Sequence, residues 1–107
     1  MIEELQRQDR ELNRAKINSE TATIPWQELQ RFFANGSTLY LVAELDLVEV
    51  ACAFLEDDVE TVKAWTDQGQ LAAVSDDQAK RWVADDSSLW AVVVKPWVLV
   101  QELDKKP

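Results

Sequence analysis

DLVEVACAFLEDDVETVKAWTDQGQLAAV, Asp46 to Val74, reads as two short helices and a strand, and its punctuation decides the fold. Asp46-Leu47-Val48-Glu49 has the form of a capping box: Asp46 accepts free amides of the first turn and Glu49, three residues on, reaches back. The helix it opens runs to about Glu56. Asp57 or Asp58 caps a second helix that would carry Val59, Val62 and Trp65 inward, and Gly69 supplies the left-handed stop before a strand from Leu71 to Val74. The charge of this unit is one-sided, with acids at Asp46, Glu49, Glu56, Asp57, Asp58, Glu60 and Asp67 against Lys63 alone.

On the N-terminal side, residues 3 to 17 read as a helix rich in Glu, Gln and Arg, with opposite charges four apart at Glu3/Arg7 and Arg7/Glu11. Its apolar face is thin, limited to Ile2, Leu5, Leu12, Ala15 and Ile17, so residues 1–19 are expected to form a helical extension that projects or pairs with a second copy. Thr23-Ile24-Pro25-Trp26 predicts the start of another helix, with threonine capping and proline in the first turn. Trp26, Leu29, Phe32 and Phe33 make its inward face, Gly36 ends it, and Leu39 to Ala43 follows as a strand.

C-terminal to the central unit, Ser75-Asp76-Asp77-Gln78 is a second capping box, and Ala79, Trp82 and Val83 are expected to face the core. Leu89 to Val100 carries the densest β signal and is apolar on both faces, so it should be a central strand or be covered by a partner subunit. Lys95-Pro96 interrupts it, predicting a bend, bulge or edge; no glycine or asparagine offers the positive φ of a tight hairpin. The expectation is a small α+β domain over residues 20–103, about five helices on a sheet of three to four strands with a helix-turn-helix-like pair, and a loose tail at 104–107.

Composition bounds the function. A chain of 107 residues with 47% apolar residues and only two glycines and three prolines is one folded domain, able to bury roughly two-thirds of its unfolded surface. A net charge of −9 repels phosphates and anionic headgroups and favours basic partners. There is no histidine, hence no ready general base and no common metal ligand, and Cys52 sits among Val48, Ala51 and Leu55 as a small buried hydrophobe. The first residues lack the basic start and apolar core of a signal peptide, and no apolar run is long enough for a membrane span, which points to the cytoplasm.

The central unit resembles the excisionase and MerR-like winged-helix motif at Ala51, Asp58, Val62, Trp65 and Gly69-Gln70-Leu71-Ala72-Ala73-Val74. Its outer face, however, offers Glu60, Thr61, Lys63, Ala64, Asp67 and Gln68, too poor in cations for phosphate contact. The pairs Asp57/Asp58 and Asp76/Asp77 fall where aspartate caps helices, whereas Asp85/Asp86 falls at a C-terminal end, where acids are unfavourable. Lys95, between Val94 and Pro96, is either a desolvated amine or a lysine reaching to water. With no nucleophile-base pair and no phosphate loop, the expectation is a non-catalytic module without cofactor or metal. Its partner would be a protein, basic in character, or a second copy; the alternative is a helix-turn-helix-derived, transcription-related protein, either a weak DNA binder or an acidic DNA mimic. The candidate partner surface comprises Glu60, Lys63, Asp67, Trp90, Lys95 and Trp97.

Larger blocks of sequence carry a family resemblance: Glu20-Thr21-Ala22, Ile24-x-Trp26-x-Glu28-Leu29, Glu44 to Ala51, Asp57-Asp58, Trp65-x-x-x-Gly69-x-Leu71, Val74-Ser75-Asp76-x-Gln78-Ala79-x-x-Trp82, Leu89 to Val94 and Pro96 to Glu102. From about Glu20 to Glu102 the chain resembles an uncharacterised bacterial family, domain of unknown function 2288. The resemblance implies a bacterial, cytosolic protein and brings no activity, ligand or site residue; the N-terminal helix lies outside it.

Overall fold

The computed structural model describes residues 12–103. Residues 12–20 form helix α1; then come β1 (Ala22–Pro25), α2 (Trp26–Ala34), β2 (Thr38–Leu41), α3 (Leu47–Leu55), α4 (Val59–Asp67), β3 (Leu71–Ala73), α5 (Asp76–Ala84), β4 (Ser88–Val94) and β5 (Trp97–Glu102). The strands make one mixed sheet in the order β1-β4-β5-β2-β3, in which β2 and β5 run parallel and every other pair is antiparallel. The α+β class stands, with five helices among the described residues, but the sheet has five strands, not three to four.

Two local features account for the extra strands. Ala22–Pro25, expected to open a helix, pairs with β4 at the sheet edge, where the missing amide of Pro25 disturbs no ladder on its outer side. Helix α2 therefore starts at Trp26, whose N–H donates to the Ser87 carbonyl at 2.9 Å, and no side chain caps it. The run from Leu89 to Val100 is two strands folded as a tight hairpin, with Lys95-Pro96 as a cis peptide bond. The two-residue connection Lys95-Pro96 joins Val94 to Trp97 with no residue at positive φ, so the lack of glycine or asparagine did not forbid it.

The core lies on both faces of the sheet. Val98, Leu99 and Val100 of β5 are at most 2% exposed, Leu99 facing α3 and the two valines facing α2 and α5. That is the central strand the two-sided apolar run predicts. Because β5 is hydrogen-bonded to β4 on one side and β2 on the other, it has no free edge through which a second copy could extend the sheet. Helix α1 docks by Ile17, which is buried, while Leu12 stays exposed.

Two inward expectations are corrected. Val62 and Trp65 lean on the core, but Val59 is 65% exposed. Each step of three residues falls about 60° short of a full turn, so a helix rotated to bury Val62 and Trp65 swings Val59 outward. On α5, Ala79 and Trp82 are buried and Val83 is 54% exposed, one residue further round the helix.

Helix ends follow local rules. Asp46 accepts from the amides of Val48 and Glu49, Asp58 accepts from that of Thr61, and Ser75 with Gln78 completes a reciprocal capping box. All four helices from α2 to α5 end in the same paired bonds, the residue at the left-handed position being Gly36, Asp57, Gly69 and Asp86 in turn. For α5 these are Ser87 N–H to Trp82 C=O at 3.0 Å and Asp86 N–H to Val83 C=O at 3.2 Å. Asp85-Asp86 is thus the helix stop.

Candidate partner surface

Charge is unevenly placed on this scaffold. From Glu44 to Asp67 the chain has eight carboxylates (Glu44, Asp46, Glu49, Glu56, Asp57, Asp58, Glu60 and Asp67) and one ammonium, Lys63, so this stretch holds −7 of the chain's −9. Lys63 donates to Asp67 at 3.1 Å, a pair whose side chains are mostly in water and whose contribution to stability is small. Glu60, Lys63 and Asp67 are all exposed on α4, as a partner surface requires.

The turn between α3 and α4 adds an apolar element that sequence reasoning missed. Leu55, the last residue of α3, is 45% exposed, and Val59, the first of α4, is 65% exposed. Helical periodicity counted Val59 as core, and the only available signal was its position immediately after the Asp58 cap, outside the Val62-Trp65 face.

Trp90, Lys95 and Trp97 lie elsewhere. All three belong to the β4–β5 hairpin, whereas α4 packs on the opposite side of the sheet order, by β3. Trp90 is 39% exposed opposite Gln101, Trp97 is partly buried against the α3 side of the core, and Lys95 is exposed in the turn. The six candidates therefore make an α4 group and a hairpin group, not one patch.

The densest polar constellation is on the other face, around Glu102 at the end of β5. Its Oε1 accepts from Tyr40 Oη at 3.0 Å, and its Oε2 from Trp82 Nε1 at 3.3 Å and Arg81 Nη2 at 3.4 Å. Burial, reinforced by the bond to the Glu102 carboxylate, pushes Tyr40 up to about 12. The phenol keeps its proton and serves as a donor, not as a base. Cys52 is buried, and burial raises its thiol against the opposing pull of Arg14, so it is a packing group and a poor nucleophile. Among the described residues no three of His, Cys, Asp and Glu gather as metal ligands.

A shallow apolar groove of about 450 Å³ runs between α2 and α5, lined by Trp26, Phe33, Ala79 and Val83 among others. The Trp26 indole N–H, buried beside it, has no acceptor among the described residues. No helix among the described residues is long and apolar enough to cross a membrane.

The fold and surface define a small α+β domain with its sheet covered on both faces and eight of its twenty carboxylates in the stretch from Glu44 to Asp67 that carries α3 and α4. The chain belongs to the family described as "Protein of unknown function (DUF2288)", whose model matches residues 12–102 and so reaches into α1. It is similar to the NMR solution structure of PA1075 from Pseudomonas aeruginosa, at 53% identity over 87% of this chain and 86% of that one, with a TM-score of 0.77. No curated protein matches.

Proposed function

We propose that this chain is a non-catalytic, cytoplasmic interaction module that receives a basic protein through its α3–α4 corner. The observation that carries this reading is the segregation of charge, −7 of −9 between Glu44 and Asp67. Such a field speeds encounter with cationic surfaces and rejects anionic ones. The test is affinity purification of the tagged full chain from its native host, washed at low and at high salt. A basic protein that is retained at low salt and released at high salt is the expected outcome; no specific partner at low salt counts against the module.

In a second reading α3, α4 and β3 would descend from a helix-turn-helix and wing, and the corner would meet a DNA-binding protein more readily than DNA itself. Fluorescence anisotropy against mixed duplexes at low salt is expected to show no binding below about 100 μM, weaker than a typical non-specific complex. Self-association through α1, where Leu12 is 68% exposed, is the competing assembly, and light scattering at high concentration separates a dimer from a monomer.

A further inference from the structure

We propose that Leu55 and Val59 form a preformed apolar anchor, edged by Asp57, Asp58 and Glu60, that seats a cationic amphipathic segment of the partner. This deepens the interaction-module reading and rests on it. Two exposed large aliphatic side chains on either side of one turn, with exposed carboxylates next to them in the chain, give an apolar centre with a polar rim. The apolar pair supplies burial, and the carboxylates select the sign of what surrounds it. An occupant must therefore present a leucine-like face flanked by lysine or arginine.

The corner is held in shape before any partner arrives. Asp58 N–H donates to the Ala53 carbonyl at 2.9 Å and Asp57 N–H to that of Phe54 at 3.2 Å, while the Asp58 carboxylate receives the Thr61 hydroxyl at 2.8 Å. Little ordering is left for binding to impose. A second copy is a poor occupant, because a two-fold contact would set Asp57, Asp58 and Glu60 against their own equivalents. Phosphate-bearing surfaces meet the same repulsion.

The probe is a synthetic Leu/Lys amphipathic peptide of about 15 residues, long enough to become helical when bound. It is titrated into the isotope-labelled full chain and followed by amide chemical shifts, beside a scrambled peptide of the same composition. Shifts centred on the α3–α4 turn are expected, with affinity lowered about tenfold in Leu55→Ser/Val59→Ser, where apolar burial is lost. Asp57→Asn/Glu60→Gln should weaken binding several-fold and flatten its salt dependence. Asp58 is left intact because it caps α4. Equal binding of the scrambled peptide, or no loss in the double serine variant, would reduce the effect to charge attraction and overturn the anchor. Shifts centred on the α2–α5 groove, or no binding at millimolar peptide, would overturn it too. In each case a salt-sensitive partner recovered from the host leaves the module reading standing.

Discussion

The two faces of the sheet are filled by different kinds of side chain. Under α3 the fully buried core is aliphatic and fine-grained, built from residues such as Leu41, Val50, Ala51, Cys52 and Leu99, with Phe54, Trp65 and Trp97 only partly buried at its margin. Its polar accessory is Gln101, whose Nε2 donates to the carbonyls of Val42 at 2.9 Å and Leu45 at 2.7 Å and so ties down the loop leaving β2. Under α2 and α5 the core is aromatic. Trp26 meets Trp82 edge-on at 4.9 Å and Phe33 at 5.7 Å, and Tyr40 lies 6.0 Å from Trp82. Many small pieces share the burial on the first face. On the second, a few large rings carry it, and each tryptophan brings an N–H that needs an acceptor.

Trp82→Ala should therefore be the most damaging single change, at about 3–5 kcal/mol in urea unfolding, because it empties the centre of the aromatic face and removes a donor from Glu102. The paired replacements Trp82→Phe and Trp26→Phe sharpen the point. Both shrink a buried ring, but the first abandons a hydrogen bond to a carboxylate, whereas the second removes a donor with no acceptor among the described residues. Trp82→Phe should cost about 1–2 kcal/mol more than Trp26→Phe. Equal costs would show that ring volume alone holds this face.

The aromatic face should also respond to alkali in a way the aliphatic face does not. Tyr40 is raised from 10.0 to about 12, so the folded state holds the phenol proton more tightly than the unfolded chain does. Its contribution to stability is complete below pH 10 and is lost as pH climbs toward about 12, since in that window the unfolded state has already released the proton. Tyr40→Phe should abolish this part of the alkaline decline, read as the difference between the two proteins' unfolding curves. Tyr40 is the chain's one tyrosine, so phenolate absorbance reports it alone. Glu102→Gln, which removes the carboxylate acceptor, should lower that titration and destabilise the fold at neutral pH by about 1 kcal/mol.

What was legible in the sequence was mainly local or two-sided. The caps at Asp46, Asp58 and Ser75/Gln78 depend on a few adjacent residues, and β5 announced its central place because both of its faces are apolar. β1 was illegible because Ala-Thr-Ile-Pro is too short to carry a pattern, and its partner β4 lies more than sixty residues away. The β4–β5 hairpin was hidden because its two-residue turn is Lys95-Pro96, where glycine or asparagine is usual. The acids of the α3–α4 corner could be counted directly. Leu55 and Val59 could not be placed there, because the rotation of α4 is set by Val62 and Trp65 packing on a core assembled from distant segments.

The smallest expected effect ignores the contrast between the faces. Asp57 ends α3 on the aliphatic side at φ 58°, and Asp86 ends α5 on the aromatic side at φ 51°, each where α2 and α4 use glycine at φ 74°. Aspartate tolerates this conformation less well than glycine, and its charge sits against the negative end of the helix dipole. Asp86→Gly should stabilise the fold by about 0.5–1 kcal/mol and Asp57→Gly by less, because Asp57 also lies next to the N-terminal end of α4, where its charge is favourable. Asp→Asn at either position separates the terms, retaining side-chain tolerance of the left-handed region while removing the charge. The reverse change, Gly69→Ala, should cost about 1 kcal/mol. A Cβ there would meet nothing within 4 Å, so that loss would be conformational. If Asp86→Gly stabilises and Asp57→Gly does not, the carboxylate of Asp57 contributes something to the α3–α4 corner that the backbone bonds of the turn do not.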